Sequence, residues 1–102
     1  MVRREQVYLE AVRSGLERAL ELSQAELAVY IAGADPYEGD RLGRMAVSKD
    51  GLAQRDRLVF QRCRRAGLPV AVVMGGGYAS QVEDIVDIHL QTIRIAVEIS
   101  II

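Results

Sequence analysis

The sequence is short of several features that whole classes of protein depend on. Cys63 is its single cysteine, so no disulfide can form within the chain, and a reducing, cytoplasmic location is expected. No apolar run approaches the roughly 20 residues of a transmembrane helix, and no apolar segment follows the charged start as in a secretory signal. The formal net charge is −1, without the basic excess of most nucleic-acid-binding domains. We therefore expect neither a membrane nor a nucleic acid as a partner.

Isolated residues that could carry chemistry have simple structural interpretations. The single histidine, His89, falls on an apolar helical stripe, which is typical of a packed histidine. The basic stretch around Cys63 would lower the pKa of its thiol, although packing is the commoner outcome for a lone cysteine. Glu83, Asp84 and Asp87 fall early in a predicted helix, so we interpret them as complements to the helix dipole rather than as metal ligands.

Hydrophobic periodicity predicts five elements in the order αβαβα. A strand, a helical crossover and a second strand form a parallel pair, and apolar runs without alternation predict strands that are covered on both faces. A sheet of two strands is rarely stable by itself, so we expect further strands, either from additional chain or from a second copy of this one. The elements are a helix over residues 4–22, a strand over 26–33, a helix from an N-cap at Ser48 to about 66, a strand over 68–74 and a helix from about 80 onward.

The last helix carries more apolar side chains than one helix face needs. Further isoleucines widen its apolar surface, so we expect this helix to be covered on more than one side. One predicted face comprises Val82, Ile85, Val86, His89, Ile93 and Ala96, and the isoleucines that widen it are Ile88, Ile95 and Ile99.

Two unusual loops follow the two predicted strands. GADPYEGDRLG occupies residues 33–43, and GGGY occupies residues 75–78. Because ligands bind beyond the carboxyl ends of open parallel sheets, Asp35 and Tyr78 are expected on one side of the sheet. An aspartate that leaves a buried strand suits a metal ion, but Asp-Pro is also a common turn dipeptide. A tyrosine in this position can donate a hydrogen bond to an oxyanion or lie half packed at a boundary.

The triple glycine admits three interpretations. It forms a turn, it cradles a phosphate at a helix N-terminus, or it lets the backbone approach a substrate closely. The G-x-G-x-x-G fingerprint is not met, because Ser80 occupies the place of the last glycine, and there is no P-loop lysine. A phosphate-binding αβα unit therefore remains one functional alternative, ranked behind the two that are given below.

Together the two loops resemble the histone deacetylase superfamily, which includes histone deacetylases, acetylpolyamine amidohydrolases and acetoin-utilization proteins. GLAQRDR, at residues 51–57, is similar to the bacterial and class IV-like branch, and the resemblance runs from about Tyr8 to Ala96. It implies an α/β fold, with residues 1–102 as a single partial domain. That domain would be an αβαβα fragment of an arginase/deacetylase-like three-layer parallel sheet, from the C-terminal part of a deacetylase-like catalytic domain.

The resemblance also implies a mechanism, in which a zinc ion polarises an amide carbonyl and activates water. It makes Asp35 a zinc ligand and Tyr78 the donor that stabilises the tetrahedral oxyanion. Leu42 would line the channel for the acyl-lysine or acyl-amine substrate, and Gly76 and Gly77 would line its floor and wall.

The sequence departs from the family pattern in one important respect. The family's Asp-x-His zinc pair and its tandem His-His, which serves as general base and acid, are absent, and His89 cannot replace them. We therefore expect the chain to begin in mid-domain, to bind no zinc tightly by itself and to be inactive alone. The alternative is a non-catalytic interaction module that self-associates through its strand edges and wide apolar helix. A homo-oligomer is expected in either case.

Overall fold

The five predicted elements are all present in the computed structural model. It describes the backbone of residues 2–40 and 45–101 and the side chains of residues 4–40 and 45–100. The elements are α1 (Val2–Leu22), β1 (Ala28–Ala32), α2 (Lys49–Arg65), β2 (Val70–Met74) and α3 (Val82–Ile101). β1 and β2 pair in parallel, with Ala28 opposite Val70 and Ala32 opposite Met74. The predicted α/β class is confirmed by this order and pairing.

Both ends of α2 follow the signals in the sequence. Ser48 is the N-cap, and its Oγ accepts a hydrogen bond from the Gly51 amide at 3.0 Å. The Ser48 amide and hydroxyl both donate to Glu5 of α1, at 2.8 and 2.5 Å, so this cap also ties α1 to α2. At the other end Gly67 has φ +71°, the left-handed conformation that commonly ends a helix and that glycine adopts without strain.

α2 and α3 pack on one face of the two-stranded sheet. The Tyr30 ring of β1 meets the Phe60 ring of α2 edge-on, with centroids 5.5 Å apart and planes at 82°. This first cluster also contains Ile95, Ile99, Val70 and Val72. A second cluster beside the carboxyl end of β1 is formed by Ala34, Val47, Leu52 and Ile88, with Tyr8, Tyr37 and Ile85 packed against it.

The opposite face of the sheet is bare in the part of the chain that the structure describes. Val29, Ile31 and Val73 are 64%, 69% and 48% exposed. The described residues thus form two layers, a sheet and helices on one side of it, and the expected cover on both faces is not found here. Both faces of the strands are apolar, which is typical of strands with helices on both sides. The described residues supply helices for only one face.

The buried stripe of α3 also differs from the face that was predicted. Val82, Val86 and Ile93 are exposed by 65%, 57% and 40%. Since α3 has apolar residues around much of its circumference, periodicity alone could not tell which of them meet α2. The buried side chains are Ile88, Thr92, Ile95 and Ile99. Within the described residues, no helix has the length and apolarity needed to cross a membrane.

Candidate functional site

The loops after β1 and β2 lie side by side at the carboxyl edge of the sheet. The Ala34 amide donates to the Gly76 carbonyl at 3.1 Å, and the Gly75 amide donates to the Ala32 carbonyl at 3.2 Å. A Cβ on Gly75 would lie 2.6 Å from the Gly33 Cα, which is closer than real side chains come. The absence of a side chain at Gly75 therefore allows the two backbones to touch.

The predicted metal-ligand position is open to solvent. Asp35 is exposed and stands between the buried residues Ala34 and Pro36, in a turn that the Tyr37 amide closes on the Ala34 carbonyl at 3.1 Å. The buried neighbours fix the turn, so the carboxylate is left at the edge of the sheet. An exposed oxygen ligand in this position is compatible with a bound zinc ion.

Tyr78 combines a fixed backbone with an exposed side chain. Its amide donates to the carboxylate of Asp40, which is only 7% exposed. The next residue, Ala79, forms an antiparallel bridge with Asp40, and the Ser80 amide donates to the Gly39 carbonyl at 3.3 Å. The Tyr78 side chain is 57% exposed, so the ring extends from an anchored position. Sequence reasoning missed the anchoring role of Asp40, because a carboxylate in an irregular loop has no periodic signal.

The other predicted substrate positions are placed less completely. A Cβ on Gly76 would meet nothing within 4 Å, so the space over this residue is open. A Cβ on Gly77 would lie 3.1 Å from the Ala34 Cβ, so Gly77 faces the first loop. Leu42, predicted to line a channel, lies outside the described residues.

The glycine loop is poorly arranged for a phosphate. α3 begins at Val82, several residues after the glycines, so Gly75–Gly77 do not form a helix N-terminus. The amides of Gly75 and Tyr78 already donate, to Ala32 and to Asp40. Because a phosphate cradle depends on free backbone donors, the structure does not favour that alternative.

A buried polar network lies directly beneath the first loop. The Arg55 guanidinium, 4% exposed, donates to the Gly33 carbonyl at 2.7 Å, to the Tyr8 hydroxyl at 3.3 Å and to Asp56 at 3.0 and 3.1 Å. Gly33 is two residues before Asp35 and follows the last residue of β1. Arg55 thus fixes the point at which the chain leaves the strand and enters the turn that carries Asp35.

Asp56 is the shared acceptor of this network. It is 1% exposed and receives hydrogen bonds from the Tyr30 hydroxyl and from the Thr92 hydroxyl, both at 2.5 Å. Burial raises the pKa of Tyr30, with the Asp56 charge adding to the effect, so the phenol stays protonated. Burial works against the charge of Arg55, but the neighbouring Asp56 carboxylate favours it, so the pKa of Arg55 is raised and the guanidinium stays charged. β1, α2 and α3 therefore meet around one buried ion pair.

The acidic residues of α3 bind a lysine of α2. Lys49 Nζ lies 2.7 Å from Asp84 and 2.9 Å from Asp87, and its hydrogen bond holds the pKa of Asp84 below the usual value. These contacts join the beginning of α2 to the first two turns of α3. Throughout the described ranges, no three His, Cys, Asp or Glu side chains are grouped so that they could hold a metal ion.

The chain's one cysteine and one histidine lie in different environments. Cys63 is 1% exposed, and burial raises the pKa of its thiol against the opposing effect of Arg62, which agrees with a packed residue. His89 is half-buried, and its Nδ1 is buried without a hydrogen-bond partner among the described residues. It is therefore packed as expected, but its ring is not fully satisfied.

The contact between the loops makes a direct prediction. Gly75→Ala should lower the free energy of unfolding by about 1–3 kcal/mol, because the new Cβ overlaps the Gly33 backbone and forces it to shift. Gly76→Ala is the matched control and should stay within about 0.5 kcal/mol, since its Cβ enters open space. Urea denaturation of both variants measures the difference. Equal stabilities would show that the loops are not in contact as described.

Comparison with known proteins agrees with this architecture. The histone deacetylase domain model matches residues 3–93. An uncharacterized protein of Picosynechococcus sp. is 45% identical over 82 residues, which are 80% of this chain and 27% of that protein. Histone deacetylase 2 of Arabidopsis thaliana is 39% identical over 71 residues, which are 70% of this chain and 18% of that protein.

The chain belongs to the histone deacetylase family. The family match spans most of the 102 residues, including both loops and the network beneath them. The chain spans about a quarter or less of the length of these two relatives. In length, the chain therefore corresponds to a fragment of these relatives.

Proposed function

We propose that this segment supplies part of the active site of a zinc-dependent deacylase that hydrolyses acyl-lysine-like amides. The observation that carries the proposal is the hydrogen bond between Ala34 and Gly76. It joins the loop of Asp35 to the loop of Tyr78 at the edge of a parallel sheet where ligands bind. The carboxylate and the phenol are both exposed on these neighbouring loops.

Each residue has a definite part in the proposal. Asp35 would supply one oxygen ligand to zinc, which when bound polarises the amide carbonyl of the substrate. The Tyr78 hydroxyl donates a hydrogen bond to the oxygen on which negative charge develops. The open space over Gly76 admits the acyl chain, and Gly77 and Leu42 complete the wall of its channel.

The remaining parts of such a site lie elsewhere in the complete enzyme. A catalytic zinc ion takes three protein ligands, and a general base must reach the attacking water. Among the described residues no three His, Cys, Asp or Glu side chains are grouped so that they could hold a metal ion, so Asp35 would need ligands from elsewhere. We propose that the missing ligands and base belong to the part of the relatives that this chain does not match. The chain alone is then inactive and binds zinc poorly, and its single cysteine suits a reducing cytoplasm.

The test compares the protein captured from its own cells with the isolated chain. An antibody to this segment recovers the native protein, and an acetyl-lysine peptide reports its activity. We expect a mass near three times 11.3 kDa, with activity that a chelator removes and added zinc restores. The isolated chain should show neither activity nor tight zinc binding. A full-length protein whose activity survives chelation would contradict the zinc proposal.

A second candidate function rests on the exposed apolar surfaces. A captured protein near 11.3 kDa would mean that the cell contains this segment alone. The bare sheet face and the exposed side of α3, which carries Val86 and Ile93, would then favour a non-catalytic module that self-associates. Light scattering at micromolar concentration should show a homo-oligomer, and a monomer would contradict this candidate.

A further inference from the structure

Asp40 joins the two candidate loops at a second point, in addition to the contact between Ala34 and Gly76. Its carboxylate accepts a hydrogen bond from the Tyr78 amide, although the side chain is only 7% exposed. Burying a carboxylate is costly unless hydrogen bonds replace the lost water, and a charged acceptor binds a backbone amide more strongly than a neutral one does. The backbone of Tyr78 is therefore fixed by a buried charge.

Backbone hydrogen bonds connect Asp40 to the turn that carries Asp35. The Asp40 amide donates to the Tyr37 carbonyl at 3.0 Å, and the Tyr37 amide donates to the Ala34 carbonyl at 3.1 Å. The first loop thus contacts the second on both sides of Asp35, through Ala34 before it and through Asp40 after it. These two contacts set the position of one loop relative to the other.

The backbone and the side chain of Asp40 make separate contacts. Asp40 pairs with Ala79 in an antiparallel bridge, and the Ser80 amide donates to the Gly39 carbonyl at 3.3 Å. Both are backbone contacts, so they remain when the side chain is changed. The carboxylate binds the amide of Tyr78 itself, the residue whose hydroxyl acts in the proposed chemistry. Removing the carboxylate should therefore loosen Tyr78 more than the rest of the second loop.

We propose that Asp40 is a positioning residue for Tyr78 and holds the phenol at the place where the oxyanion forms. The inference rests on the proposed function and adds a residue to it. A misplacement of about 1 Å can cost roughly 10²-fold in rate, so a fixed backbone at Tyr78 matters for turnover. The turn of Asp35 does not need the Asp40 carboxylate, because the Tyr37 amide closes it.

The first experiment is a double-mutant cycle in the complete enzyme, with an acetyl-lysine peptide as substrate. Asp40→Ala should lower kcat by about 10–100-fold, while KM and zinc content change little. In the Tyr78→Phe background the same change should cost no more than about two-fold, because the hydroxyl that it positions is already gone. Glu38→Ala is the matched control, since it removes an exposed carboxylate from the same loop, and it should leave kcat unchanged.

The outcomes of this cycle separate the inference from the proposed function. Equal losses caused by Asp40→Ala in both backgrounds would indicate a general structural effect, and they would overturn the positioning role alone. Undiminished turnover of Asp40→Ala, or a loss of zinc from it, would also overturn that role alone. Wild-type turnover of Tyr78→Phe would overturn the proposed function and this inference together.

A second experiment does not use turnover and does not depend on the alanine variant folding. Asp40→Asn keeps the shape of the side chain, but its neutral oxygen binds the Tyr78 amide less strongly. Hydrogen exchange of the complete enzyme, followed by mass spectrometry of peptides around residues 75–81, should be faster in this variant than in the wild type. Glu38→Gln, the matched change at an exposed carboxylate, should leave this exchange unaltered. A wild-type exchange rate in Asp40→Asn would overturn the contact on which the inference depends.

Discussion

Asp56→Asn should lower the free energy of unfolding by about 3–5 kcal/mol, because it leaves the charge of Arg55 buried without a counterion. Asp56 is 1% exposed and accepts hydrogen bonds from three different elements. Asparagine has nearly the same shape, so little packing is lost. Its neutral amide cannot balance the guanidinium, and its NH₂ group would face hydroxyls that now donate to Asp56. A domain of this size has a total stability of roughly 5–15 kcal/mol, so the loss is a large part of it.

Urea denaturation followed by circular dichroism measures this loss. Asp50→Asn is the matched control, since Asp50 is on the same helix, is exposed and accepts a hydrogen bond from Gln54 of α2 at 2.9 Å. It should change the stability by no more than about 0.5 kcal/mol. Equal losses for Asp56→Asn and Asp50→Asn would contradict the buried ion pair.

The same ion pair links stability to the candidate site. Arg55 uses one amino group for the Gly33 carbonyl and the Tyr8 hydroxyl, and its other donors bind Asp56. Asp56 thereby holds the guanidinium in the orientation that supports the first loop. The loop of Asp35 is thus attached to a buried ion pair as well as to the end of β1.

The order of the elements could be predicted because it depends on local signals. Ser48 and Gly67 set the ends of α2 by their own hydrogen bonding and backbone preference, whatever the rest of the chain does. Two strands joined by a helix left one reasonable pairing, and the loops after them had to meet at one edge. The placement of Asp35 and Tyr78 on neighbouring loops followed from that topology.

The buried network could not be predicted from the same signals. Arg55 and Asp56 stand between Gln54 and Arg57 in GLAQRDR, where a solvated helix face is the ordinary expectation. Their burial depends on Tyr8, which is 47 residues away from Arg55, and on a strand end that only the fold brings near. Periodicity also could not tell which of the two apolar stripes of α3 is buried. Both satisfy the helical repeat, and only packing on α2 distinguishes them.

Tyr78→Phe in the complete enzyme should lower kcat by about 10²–10³-fold while zinc content and KM change little. The phenylalanine ring keeps the shape of the side chain, and the amide of residue 78 still donates to Asp40, so the loop keeps its place. Only the hydroxyl is lost, and in the proposed mechanism it acts mainly where negative charge develops in the transition state. A loss in kcat without a matching change in KM is the signature of such an interaction.

Tyr37→Phe provides the comparison for this effect. Tyr37 lies in the first loop, but its hydroxyl bonds to Asp84 and its ring packs against the core, and burial together with Asp84 raises its pKa. Removing that hydroxyl should leave kcat within a few-fold of the wild type. Turnover on an acetyl-lysine peptide, with zinc determined on the same samples, separates the two residues. If Tyr78→Phe retained wild-type turnover, the hydroxyl would have no part in the chemistry, and the exposed Tyr78 would be a boundary residue only.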